Sequence, residues 1–206
     1  MFLSKLTLGS VLECASLRRD IASPYEMHRT ISRAFPSRQD GGCGRVLFRL
    51  EPPAEDQPQV VLVQSDKPPD WHPLLAIPGY LRLCDSKSLD VSFRAGQRLR
   101  FRLRANPTVK RKIDDKSKRV GLRSHQEQAE WLERKASEGG FKPLDFTARR
   151  VLRTVSRNKA ASHTHQSVDF EGILEVTDPE AFRQTLASGI GPAKGFGFGL
   201  LSVAPL

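Results

Sequence analysis

The chain has 206 residues, room for one large domain or two small ones at about 100–200 residues each. Its 38% apolar and 27% charged content excludes wholesale disorder, and no apolar run approaches the ~20 residues needed to span a bilayer. Lys and Arg number 33 against 23 Asp and Glu, and this net charge of +10 favours a polyanionic partner.

The first segment, MFLSKLTLGSVLECAS, has a weak likeness to a signal peptide. Lys5 and Glu13 interrupt it, and the spacing of Phe2, Leu6 and Leu8 predicts a strand over 2–8. Ser23-Pro24-Tyr25-Glu26 then opens a helix: Ser23 can cap, Pro24 suits the first helical position, and Glu26 completes a capping box. That helix runs to about Phe35, before Pro36. Strands follow at 45–51 and 59–65, then a short helix near Trp71–Leu75 and a strand near 79–84. Cys14, Cys43 and Cys84 are an odd number without CxxC spacing, which points away from a disulfide scaffold and towards a reducing cytoplasm.

The second half opens with RLRFRLR at 98–104. Leu99, Phe101 and Leu103 face one side, and Arg98, Arg100, Arg102 and Arg104 the other. A lysine-rich loop is expected over 106–119. Ser124 and Glu127 form a capping box for a helix ending at Gly139-Gly140. Strands are expected at 145–155 and 167–176, joined by a polar loop over 156–166. A helix from Asp178-Pro179-Glu180 to Gly189 and a strand over about 197–203 complete the chain. Strand, helix, strand, strand, helix, strand, read twice, predicts an α+β protein of two tandem ferredoxin-like (RRM-like) βαββαβ domains, residues 1–94 and 95–206. One larger α+β domain is the competing arrangement.

The charge is concentrated. Residues 1–93 carry 11 basic and 11 acidic side chains, residues 124–206 carry 10 and 10, and residues 94–123 carry 12 cations against Asp114 and Asp115. A second run, Arg149, Arg150, Arg153, Arg157 and Lys159, contains no acid. Closely spaced cations of this kind are what phosphate binding needs, because they release condensed counterions. The bland alternative is a solvated face whose counter-charges lie elsewhere in the fold.

On the first helix, Met27, Ile31, Ala34 and Phe35 form the apolar stripe. Tyr25, His28 and Ser32 share its flank, with Arg29 and Arg33 just beyond. An imidazole titrates near working pH, and guanidinium groups stabilise charge on a phosphorane, so this cluster suits cleavage of RNA by its own 2′-hydroxyl. A surface histidine with no chemical role is the alternative. Residues 189–199 hold five glycines around Lys194. The segment is neither a P-loop nor a dinucleotide fingerprint, but its backbone can approach a phosphate chain closely. His163 and His165 lack a third ligand, and no HExxH, GxSxG or paired carboxylates occur, so no metal site or cofactor is expected.

Ser23-Pro24-Tyr25-Glu26-Met27-His28-Arg29, the LFRLEP strand, AGQRLRFRLRANP at 95–107 and GIGPAKGFGFGLLSV near the end together resemble the CasE family. These are the CRISPR repeat endoribonucleases of the Cascade surveillance complex. The resemblance implies tandem ferredoxin-like domains and metal-independent cleavage of precursor RNA at the base of each repeat's stem-loop. The 2′-hydroxyl attacks the adjacent phosphate, leaving a 5′-hydroxyl and a cyclic or 3′-phosphate. It places the catalytic histidine on His28 and the accompanying tyrosine on Tyr25. It implies a basic hairpin from Arg149 to Lys159 and its return strand in the groove of the stem, with Arg150, Arg153 and Arg157 on the RNA. It also implies Lys194 as a phosphate contact, retention of the product and docking to other Cascade subunits; Arg29 and Arg33 are RNA-binding candidates from their place on the helix flank, and no membrane partner is expected. A non-catalytic RRM-like RNA-binding or assembly protein is the alternative reading, and a ribosome-associated structural protein a third.

Overall fold

The computed structural model describes the backbone of every residue except 38, 114, 159 and 160, and the side chains of all but these, 113 and 151–165. It divides into two compact units: Met1–Asp90 with Ser156–Ser162 and Gly195–Gly197, and Val91–Val155, His163–Lys194 and Phe198–Leu206.

The first unit runs β1 (Phe2–Leu8), α1 (Ala15–Ala22), α2 (Pro24–Ser32), β2 (Val46–Leu50), β3 (Val60–Ser65), α3 (His72–Leu75) and β4 (Leu81–Ser88). Its sheet has the order β2-β3-β1-β4 with every pair antiparallel, the order that a βαββαβ chain produces. Leu6, Leu8, Phe48, Val61 and Val63 cover one face and meet Leu17, Met27, Ile31, Ala34, Phe35 and Leu74. Strand alternation and helical periodicity thus deliver apolar side chains to one shared layer.

The sequence predicts one helix from Ser23; the structure adds α1 immediately before it. The cap of α1 is the Cys14 thiol, which accepts a hydrogen bond from the Leu17 N–H at 3.4 Å, so the usual hydroxyl or carboxamide signature is missing. Only Leu17 and Asp20 of α1 are buried. The Asp20 carboxylate accepts from the Tyr80 hydroxyl at 2.7 Å and pairs with Arg19 at 2.8 Å. Burial and this neighbouring carboxylate push the Tyr80 phenol far above its ordinary range, so it stays a donor. Ser23 joins the two helices. Its N–H donates to Asp20 O, while its hydroxyl accepts from the Glu26 N–H. With the Ser23 N–H engaged in this way, the Glu26 side chain turns to Arg19 and Arg29 and the capping box is only half formed.

The second unit runs β5 (Arg98–Ala105), β6 (Thr108–Ile113), β7 (Lys116–Gly121), α4 (His125–Glu138), β8 (Phe141–Asn158), β9 (Ala161–Val176), α5 (Pro179–Ser188) and β10 (Leu201–Pro205). The order β10-β5-β9-β8 repeats that of the first unit. The protein is therefore an α+β chain of two ferredoxin-like folds. Trp131, Phe141, Phe170 and Phe182 are buried here, with the Trp131 and Phe170 rings stacked at 6.1 Å. The capping box of Ser124 and Glu127 forms completely, and Asp178 caps α5 through the N–H groups of Glu180 and Ala181.

Three expectations are corrected. The segment 106–119 is not a loop: β6 and β7 pair in register from Thr108↔Gly121 to Ile113↔Lys116. Cations on both faces hid this hairpin, since no polar and apolar alternation marks it. The expected loop over 156–166 is largely strand, because β8 reaches Asn158 and β9 begins at Ala161. The terminal strand begins at Leu201, since Gly197 and Gly199 adopt φ of 81° and 88°.

The arginine row of β5 is mostly neutralised within the sheet. Arg98 pairs with Glu175 at 3.4 Å, Arg102 with Glu171 at 2.8 Å and Arg104 with Asp169 at 2.7 Å, while Arg100 donates to Pro205 O. For this strand the counter-charges do lie elsewhere in the fold.

Tyr80→Phe tests the buried network of the first unit. Removing the donor to a carboxylate that is 1% exposed is expected to cost about 1–3 kcal/mol, read as a lower urea midpoint with unchanged slope. An unchanged midpoint would show that the bond contributes nothing to stability.

Candidate active site

Residue spacing on α2 sets the position of His28. Met27, Thr30 and Ile31 are buried, so His28 lies at the margin of the packed stripe, half in water. Its ring lies nearly parallel to Phe48 of β2, with centroids 6.1 Å apart and planes at 13°. Phe48 is itself 2% exposed and therefore a fixed wall. The His28 carbonyl accepts from the Ser32 hydroxyl at 2.7 Å, which ties the helix turn beneath the ring.

The ring's environment is dry on one side. Nδ1 is buried without a hydrogen-bond partner. Burial pushes the pKa down from its ordinary 6.5, because the charged form loses hydration that nothing replaces. The other edge faces a glycine. A Cβ added at Gly195 would lie 3.6 Å from both Cδ2 and Nε2 of His28. One at Gly197, where φ is 81°, would lie 3.2 Å from Phe48 Cε2. The glycine-rich segment thus packs closely on the stacked pair, with Gly195 beside the Cδ2–Nε2 edge of the His28 ring.

Tyr25 is half-buried one turn before His28. Arg29 is exposed and pairs with Glu26 at 3.2 Å, and Arg33 is exposed at the C-cap of α2. In the second unit Arg149 and Arg150 are exposed on β8, and Arg150 donates to Arg123 O at 2.6 Å. Lys194 opens a 3-10 turn over Lys194–Phe196. The side chains of Arg153, Arg157, Lys159, His163 and His165 lie outside the described residues. Among the described residues, no three His, Cys, Asp or Glu side chains converge as metal ligands. Among the described residues, no helix is long and apolar enough to cross a membrane.

Phe48 and Gly195 were not singled out by the sequence. Phe48 lies in a strand buried over its first four residues, like any core residue, and Gly195 is one of five glycines in its segment. An NMR titration of the ring carbons of His28 is expected to give a pKa below 6.5, moved lower still in Gly195→Ala, whose methyl would further dry the exposed edge. A value at or above 6.5 in the parental protein contradicts the environment described.

The family model described as "CRISPR associated protein" matches residues 1–205. The CRISPR-associated endoribonuclease Cse3 of Thermus thermophilus is 43% identical over 217 residues, spanning 100% of both chains. The CRISPR system Cascade subunit CasE of Escherichia coli is 31% identical over 208 residues, covering 97% of this chain and 99% of that one. A structure of CRISPR endoribonuclease Cse3 bound to 19 nt RNA superposes over 100% of both chains, with a TM-score of 0.89 and 42% identity. With matches over its whole length to both, the chain belongs to the CasE and Cse3 family of CRISPR-associated proteins.

Proposed function

We propose that this chain cuts CRISPR precursor RNA within each repeat, at the base of the stem-loop, and keeps the mature guide RNA as a subunit of Cascade. The observation carrying this reading is the His28 imidazole, half-buried against Phe48 with its Cδ2–Nε2 edge beside Gly195, in a chain similar throughout to an endoribonuclease. The free cysteines Cys14, Cys43 and Cys84 suit a cytoplasmic setting.

The chemistry needs no group beyond side chains and substrate. With its pKa lowered, His28 is unprotonated at pH 7 and takes the proton of the ribose 2′-hydroxyl. The 2′-oxygen bonds to the adjacent phosphorus, and the bond from phosphorus to the 5′-oxygen breaks. The Tyr25 hydroxyl gives its proton to the departing 5′-oxygen and regains one from water. The products are a 2′,3′-cyclic phosphate, which water can open to a 3′-phosphate, and a 5′-hydroxyl. Arg29 and Arg33 lie on the same helix to offset charge on the phosphorane. Arg149, Arg150, Arg153, Arg157 and Lys159 hold the stem through phosphates, since an A-form major groove is too deep and narrow for base readout. Lys194 supplies a further phosphate contact.

His28→Ala is expected to reduce single-turnover cleavage by at least about 10²–10⁴-fold while repeat affinity stays within a few-fold. Cleavage at the parental rate would falsify the assignment. A 2′-deoxy nucleotide at the cut site should abolish product, and cleavage should persist in excess EDTA; loss with the chelator would favour a metal nuclease. A binding protein without chemistry gives no product in any arm. Because protonation removes the acceptor, the rate should fall about tenfold per pH unit below the ring's pKa and level off above it. A rate that rises as pH falls through this range would assign His28 as the proton donor instead.

A further inference from the structure

We propose that the second unit holds a separate RNA site: a cleft between the β6–β7 hairpin, α4 and the turn after α5 that takes the phosphodiester backbone of single-stranded RNA flanking the stem-loop. Lys110, Arg119 and Arg134 carry it. The RNA as partner rests on the function proposed above; the site itself rests on geometry and charge.

The cleft has a volume of about 640 Å³, a size suited to nucleotide-scale guests and too confined for a duplex. Its lining brings Lys110, Arg119, Arg134, Lys135 and Lys194 together against one carboxylate, Glu138, which pairs with Lys135. Among the described residues, Lys110, Arg119 and Arg134 have no carboxylate partner, and all three are exposed.

The hairpin register makes this arrangement costly without an anion. Lys110 and Arg119 are direct cross-strand partners, and like charges placed opposite each other destabilise a hairpin. The next pair, Arg111 and Lys118, repeats the pattern, but Arg111 points to Glu127 at 3.1 Å and is compensated. The uncompensated pair is the one that lines the cleft. The large apolar side chains at the floor, Trp131 and Ile190, are 1% and 4% exposed, so the cleft presents charge and not an apolar socket for a protein anchor. The turn is held close to that floor: a Cβ at Gly191, where φ is 79°, would lie 3.0 Å from Trp131 Cζ2.

The test compares the full-length parent with Lys110→Ala/Arg119→Ala/Arg134→Ala. Each binds the bare repeat hairpin and the same hairpin with a short single-stranded extension at its 5′ or 3′ end. Each phosphate contact to a single strand contributes about 0.7 to the slope of log K against log salt, so the variant's slope should fall by about 2 on one extended RNA. It should match the parent on the bare hairpin. An equal loss on the bare hairpin overturns the single-strand assignment. Parental affinity and slope on every RNA overturns the cleft as an RNA site and leaves it to an acidic protein segment. Because the variant relieves repulsion, it should melt at or above the parental temperature; a clearly lower one would make the cations structural and overturn the proposal. Cleavage of the same RNAs by the parent separately reports the function on which the partner rests.

Discussion

Burial of one stripe of α2 determines what the other side chains on that helix can do. Met27 and Ile31 of α2, with Ala34 and Phe35 just after the helix ends at Ser32, short of the expected Phe35, are all between 1% and 7% exposed against the sheet of the first unit. At 3.6 residues per turn, a residue directly after Met27 can be neither wholly buried nor wholly in water. His28 therefore meets Phe48 on one side and solvent on the other. Its low basicity and its partial exposure come from the same packing, and Gly195 brings no Cβ to the ring's Cδ2–Nε2 edge. An imidazole placed one position later would be exposed like Arg29, and one placed earlier would be core.

Charge is distributed by a second constraint, the pairing of β5 with β9. Three of the four arginines on β5 face acids of β9, so the strand that looks most basic in the sequence is the least available to an outside anion. Such cross-strand ion pairs contribute little each, but they satisfy charges that would otherwise repel along the strand. The net positive charge consequently appears on other elements: β6 and β7, and β8, whose sequence carries five cations against Asp145. Summing charge along the chain locates the correct segment without showing which half of it is engaged internally.

The parts legible in the sequence were those with a local chemical signature. Ser124 with Glu127, Asp178 with Pro179, and the alternation of residues 98–104 all led to the observed elements, because caps and period-2 burial are short-range properties. Helix α1 escaped because a thiol caps it and because a single leucine is its apolar anchor. The β6–β7 hairpin escaped because none of its described side chains is buried and its strands are held by backbone pairing. Tyr25, His28 and Ser32 could be put on one flank of a helix, yet spacing could not distinguish a functional imidazole from a surface one. Phe48 and Gly195 give His28 its setting, and both contacts join segments far apart in the chain, which no local pattern records.

The two ferredoxin-like folds place chemistry differently on one strand order. In the first unit His28, the proposed reactive side chain, stands on a framework helix, where packing holds it to one geometry. In the second the basic residues stand on additions to the framework: the hairpin inserted after β5 and the extension of β8 and β9. Framework positions are constrained by the core, whereas an inserted hairpin that buries little apolar surface can accept repulsion that a core strand cannot. Its free energy then depends on what neutralises it. A hairpin with Lys110 opposite Arg119 is stabilised by any anion that binds the folded form in preference to the open one, by an amount set by that anion's concentration over its dissociation constant. Rigidity is thus assigned to the element that must position an atom, and charge to the element whose order can follow from binding.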